Sequence, residues 1–151
     1  MTNWGKFANV SAKEINEGIK ALGDGEYPEI PNGRYEVAID SMVLKPTKKT
    51  GAPMLSVRFT IVEGEYKNQK LFMNQVVLMG DEHDSIRVST ANRFLKSLGT
   101  DIPISFEGVG EYEALIEQVF DEVQKNELEY LLELGENKGG YKTYTIKEVY
   151  E

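Results

Sequence analysis

Three successive stretches of the chain alternate apolar and polar residues at period two: RYEVAIDSMVLK (34–45), MLSVRFTIVE (54–63) and KLFMNQVVLM (70–79). Such alternation sends one row of side chains into a core and the other toward solvent, a pattern that suits a strand and not a helix. Tyr35, Val37, Ile39 and Val43 form the expected inner row of the first stretch, with Arg34, Glu36 and Asp40 opposite. Leu55, Val57, Phe59 and Ile61 form the inner row of the second, with Ser56, Arg58 and Thr60 outward. In the third, Leu71, Met73 and Val77 share one face, and Phe72, Asn74 and Val76 the other. The separators PTKKTGAP and GEYKNQ are rich in turn-forming residues, so the three runs predict an antiparallel meander over 34–79.

The flanking segments read differently. SAKEINEGIKALGDG opens with a capping-box pattern, Ser11 and Glu14, and spaces Ile15, Ile19 and Leu22 on one helical face, with Gly23 and Gly25 as stops. EYPEIPNG then reads as an extended link, so 1–33 is an N-terminal helix plus linker. Residues 84–124 predict a helical insertion. Ile86, Phe94, Leu95 and Leu98 recur at helical spacing before Gly99, and Leu115, Ile116, Val119, Phe120 and Val123 form a second stripe. LEYLLEL and YKTYTIKEVY flank the turn GENKGG, which predicts a terminal hairpin over 127–151. Together these predict one domain over 1–151, mainly β with added α. Its expected form is an OB-fold-like five-stranded antiparallel barrel with an N-terminal helix and a helical insertion between strands 3 and 4.

Composition excludes several chemistries. With no cysteine there is neither a disulfide nor a thiolate metal site, and the single histidine, His83, cannot build a triad or a zinc site. Asp81, Glu82 and Asp84 beside it read as a solvated turn into a helix. No nucleotide-binding glycine loop or HExxH pattern occurs, so the chain reads as non-catalytic, with no metal and no cofactor. No leader-like segment or apolar run of ~20 residues is present, which predicts a soluble, cytoplasmic protein without membrane contact. The net charge of −8 is uneven: residues 101–137 hold eleven acidic residues and one basic, a net of −10, leaving +2 for the remainder. A polyanion responds to local charge, so the low pI of 4.8 does not exclude nucleic acid.

The strand region carries a resemblance. PNGRYEVAID, KKTGAPMLSVRFTIVEGEYKNQKLF and NRFLKSLG resemble a family of small phage- and prophage-encoded proteins found near replication and recombination genes, some of them treated as single-stranded-DNA-binding proteins. The shared elements are Gly33–Tyr35, Lys48–Leu55 and Val62–Phe72, and the likeness spans roughly 31–100 plus the last strand. The resemblance implies an OB-like fold, single-stranded DNA as ligand, a bacterial host cell as setting, and phage or host replication and recombination proteins as further partners. A homo-oligomer is compatible with the sequence.

Single-strand binding needs cations along the phosphates and flat rings against the bases. Lys45, Lys48 and Lys49 lie on the loop joining strands 1 and 2, and Lys138 and Lys142 at the last hairpin. In an OB-fold these two loops are expected to converge on one cleft. Arg58 and Lys70 add charge on the strand 2–3 face. Phe72 is the expected stacking ring if it is not covered by a helix, and one of Tyr141 and Tyr144, which lie on opposite faces, joins it. Tyr66 is expected to pack on its neighbours, and Trp4 and Phe7 to anchor the N-terminal segment. Glu113, Glu117, Asp121 and Glu122 read first as a solvated helix face. Their alternative roles are a protein-partner surface or DNA mimicry. A structural phage assembly protein is the third functional class.

Overall fold

A computed structural model describes residues 5, 8, 10–21 and 30–151. Trp4, Phe7, Leu22, Gly23, Gly25 and the first half of EYPEIPNG lie outside them, as does the side chain of Ile19. The chain divides into two units, residues 1–31 and 32–151. In the first, α1 spans Ala12–Ala21. Ser11 Oγ accepts the Glu14 N–H at 3.2 Å, the hydrogen bond that the capping-box pattern predicts.

The second unit is mainly β: one open five-stranded antiparallel sheet with two helices. Its strands are β1 (Gly33–Pro46), β2 (Pro53–Ile61), β3 (Lys70–Val76), β4 (Glu129–Glu136) and β5 (Lys142–Tyr150). Helices α2 (Asp84–Lys96) and α3 (Val109–Lys125) lie between β3 and β4 in sequence. The sheet order is β3-β2-β1-β4-β5. Among the described residues no β3–β5 ladder closes the sheet into the expected barrel, so β3 and β5 are its edges.

A bulge in β1 overturns part of the expected inner row. Ile39 pairs with Phe59 and Ser41 with Arg58, which leaves Asp40 without a partner across the strand. The extra residue shifts the alternation by one, so every later side chain changes face. Met42 and Leu44 are therefore buried, and Val43, expected inward, is 40% exposed. Gln124 Nε2 on α3 donates to the Ile39 carbonyl at 2.6 Å, tying the helix to the backbone at the bulge.

The core lies between the inner face of the sheet and the two helices. Ala91, Phe94 and Leu95 face it from α2, and Tyr112, Ile116, Val119 and Val123 from α3. Ile86, expected on the α2 core face, is 65% exposed. At about 100° per residue it falls outside the arc that Ala91, Phe94 and Leu95 share. Phe59 meets Phe94 edge to face at 6.1 Å. The Tyr112 hydroxyl donates to Asn92 Oδ1 at 2.6 Å and joins the helices, and burial pushes its pKa up to about 12. The Tyr130 hydroxyl donates to the Leu98 carbonyl at 2.8 Å, and burial raises its pKa further.

The GDEHDS segment starts α2. The Asp84 carboxylate accepts the N–H groups of Met79 and Gly80 at 2.8 and 2.9 Å, and Arg87 Nη1 lies 2.6 Å from both Asp81 and Asp84. Among the described residues, no group of three or more acidic or histidine side chains is placed to hold a metal ion. Among the same residues no helix is long and apolar enough to cross a membrane.

Candidate nucleic-acid interface

The outer face of β1–β2–β3 carries the residues left over once the apolar rows turn inward. Arg58 on β2 pairs in register with Phe72 on β3, Ser56 with Asn74, and Thr60 with Lys70. Phe72 is 58% exposed, so the ring stands beside Arg58 and is not covered by α2 or α3. Ser56 Oγ donates to Asn74 Oδ1 at 2.9 Å, and Lys45, past the bulge, lies on the same face at the far end of β1.

Asp40 sits among these cations. The bulge aims its carboxylate across the strands, where Oδ2 lies 2.8 Å from Lys70 Nζ and 3.6 Å from Arg58 Nε. The Thr60 hydroxyl donates to the same oxygen and accepts from Lys70. Burial raises the Asp40 pKa, but hydrogen bonds from Lys70 and Thr60 and the charges of Lys70 and Arg58 outweigh it and hold the group below the usual aspartate value. Asp40, Arg58 and Lys70 border a polar cavity of about 720 Å³ that Gln124, Glu127 and Glu129 also line.

The two lysine hairpins, expected to converge on one cleft, leave β1 at its opposite ends. One follows Pro46 at the C-terminal end of β1, while the other lies beyond the Gly33–Leu134 pair at its N-terminal end. β1 has 14 residues, and β2 and β4 pair mainly with different halves of it. At ~3.3 Å per residue the strand separates the hairpins by a contour of about 40 Å. Lys45, Lys48 and Lys49 are exposed and make no ion pair among the described residues. Their turn is well ordered by hydrogen bonds: Thr47 N–H donates to the Ala52 carbonyl at 2.9 Å, and the Thr47 and Thr50 hydroxyls are 2.7 Å apart.

At the other end, Lys138 is exposed on the β4–β5 turn. Lys142 Nζ is held at 3.0 Å by both Asn32 Oδ1 and Glu136 Oε1, and its hydrogen bond and charge lower the Glu136 pKa. Tyr141 is 74% exposed. Tyr144 turns the other way and stacks on Phe59 at 6.2 Å and 13°. It is therefore a half-buried ring of the core margin, with its pKa raised by burial against a smaller lowering from Lys142.

That stacking brings β5 close to β2 and opens a cleft between the two sheet edges. The cleft, about 880 Å³, gathers Phe72 from β3 with Tyr141, Lys142 and Tyr144 from the last hairpin, over a floor that includes Phe94 and Arg93 of α2. Four of the residues expected to bind thus share one cavity, while Arg58 and Lys70 lie on the adjoining face. Tyr66 packs edge to face on Tyr35 at 6.0 Å, as its turn position predicts.

The profile of a family described as protein of unknown function (DUF669) matches residues 9–145. The chain belongs to the DUF669 family. The match runs from α1 through β4 into β5, so the outer face and the cleft lining except Ile146 fall within it. No curated protein matches this DUF669 chain in sequence.

The DUF669 chain also carries the acidic residues on α3. Glu113, Glu117 and Asp121 are exposed and spaced four residues apart, so they form one stripe along the helix. Glu122 is half-buried and accepts from Asn126 Nδ2 at 3.0 Å.

Two residues of the candidate interface carry no clear signal in the sequence. Asp40 was visible as a polar-face residue, but its place between Arg58 and Lys70 depends on the bulge. Arg93 sits beside Phe94 within an amphipathic helix pattern and carries no signal of the cleft it lines.

Proposed function

We propose that this DUF669 protein binds single-stranded DNA, without catalysis and largely without sequence preference, on an OB-like open barrel. The Arg58–Phe72 pairing carries the reading. A cation and an exposed ring side by side on the strand 2–3 face supply the two things a single strand needs, charge for its phosphates and a surface for its bases. Five antiparallel strands with a helical insertion after the third support the OB-like description.

The cations mark the path. Lys45, Lys48 and Lys49 capture phosphates at one end, Arg58 and Lys70 in the middle, and Lys138 and Lys142 at the other end. Their separation makes them successive stations along a strand, in place of two jaws closing on one point. The resemblance in the strand region supports a role in phage or prophage replication or recombination. Fluorescence anisotropy with labelled oligothymidine, set against a duplex of equal length, tests the reading. Preferential single-strand binding supports it, and equal or absent binding removes it.

A second reading rests on the α3 stripe of Glu113, Glu117 and Asp121, which suits a basic protein partner or a nucleic-acid-binding protein that accepts a DNA mimic. Charge reversal of all three then abolishes a protein contact and leaves DNA binding intact or stronger.

A further inference from the structure

We propose that the cleft between the two sheet edges is a base-capture site, into which one or more bases of a bound single strand turn from the β2–β3 face. The inference rests on the single-strand reading and adds to it a second place for bases, off the strand 2–3 face. Phe72 connects the two, since it stands on the outer face opposite Arg58 and also borders the cleft.

The lining fits a nucleotide in three respects. Among the described residues its charged lining is Arg93 and Lys142 and no carboxylate borders it, although the chain carries a net charge of −8. By contrast, the cavity around Asp40 mixes three carboxylates with its two cations. Rings are present at both walls, with Phe72 and Tyr141 exposed and Tyr144 backed by Phe59. Polar groups lie at the β3 wall with capacity to spare. Asn74 uses its carbonyl oxygen for Ser56, and Gln75 uses its NH2 for the Val76 carbonyl. The Asn74 NH2 on the outer side of β3 and the Gln75 oxygen on its inner side thus remain for hydrogen bonds at the cleft margin. An apolar peptide would leave these groups and Arg93 without use, Lys142 being already held by Glu136 and Asn32. A base with its phosphate engages rings, amides and charges together.

Tyr141 is the residue to test, because it is at a hairpin tip, 74% exposed, and belongs to the cleft but not to the outer face. The full chain and its Tyr141→Ala and Tyr141→Phe variants are titrated with oligothymidine and with an equally long abasic deoxyribose-phosphate oligomer. Thermal melts of the three proteins verify folding. The expected result is a loss of about tenfold in oligothymidine affinity for Tyr141→Ala, with abasic binding unchanged and Tyr141→Phe close to wild type. Ultraviolet crosslinking to oligothymidine should also join a base to a peptide spanning 137–146. If Tyr141→Ala keeps the full preference for oligothymidine and no crosslink reaches that hairpin, the base-capture site is overturned and the cleft is left to a polypeptide strand. If the wild-type protein binds neither oligomer, the single-strand reading itself has failed.

Discussion

Asp40 and Lys70 form a 2.8 Å ion pair on the very face where a nucleic acid would lie. Arg58 approaches the same carboxylate at 3.6 Å, so two cations of the β2–β3 face are already engaged by an internal anion. A phosphate must compete with that carboxylate. Asp40→Asn keeps the side-chain shape and removes the charge. Its expected effect is tighter binding of oligothymidine with a steeper salt dependence, by about 0.7 in the log–log slope for one more neutralised phosphate. Unchanged affinity would place the DNA path elsewhere.

The same group gives a pH signature. The folded-state pKa of Asp40 is depressed from 3.8 by its partners. Its contribution to stability is therefore fully present above the unfolded-state value and is lost as pH falls through the lower folded value. Wild type should lose stability relative to Asp40→Asn only below about pH 4, measured by urea unfolding at several pH values. A difference between the two proteins that stays constant down to strong acid would contradict the pairing.

Phe72 separates binding from folding. With 58% of its surface exposed, the ring contributes little to the core. Phe72→Ala should change stability by no more than about 0.5 kcal/mol. It should weaken oligothymidine binding by roughly 5- to 150-fold, corresponding to one lost stacked base. Calorimetry and anisotropy on one preparation read both quantities.

The bulge at Asp40 makes neighbouring residues respond in opposite ways. Met42 is fully buried and Val43 is 40% exposed. Met42→Ala should cost about 2–5 kcal/mol in denaturant unfolding, and Val43→Ala less than about 1 kcal/mol. Similar costs at both positions would contradict the shifted alternation.

Gly99 tests the packing of β5 over the end of α2. Its φ is +76°, and a Cβ there would lie 3.0 Å from Val149 Cγ1. Gly99→Ala should destabilise by about 1–3 kcal/mol through both backbone strain and that contact. If Val149→Ala relieves part of the loss, the contact is real; a loss indifferent to residue 149 assigns it to the backbone alone.

Much of this fold was readable from period-two alternation and turn chemistry. The inner rows Leu55–Ile61 and Leu71–Met73 emerge as expected, because each strand buries one face and no bulge interrupts it. Phe72 and Arg58 followed from the same alternation. Val43 did not, since a bulge leaves no mark in composition and reverses every residue after it. The two lysine hairpins were individually legible as turns. Their placement at opposite ends of β1 depends on pairing register over a long shared strand, which local sequence does not encode. The cleft joining Phe72 to Tyr141 depends on how the sheet curls, and that is set by packing such as Phe59 against Tyr144.

A salt titration of oligothymidine binding by the unmodified chain decides whether its cations hold a single strand. Single-stranded DNA loses about 0.7 in log–log slope per neutralised phosphate, so three to five cations predict a slope of roughly −2 to −3.5. Affinity should then fall roughly 15- to 130-fold between 50 and 200 mM salt. Absence of binding at low salt, or affinity indifferent to salt, would contradict the account.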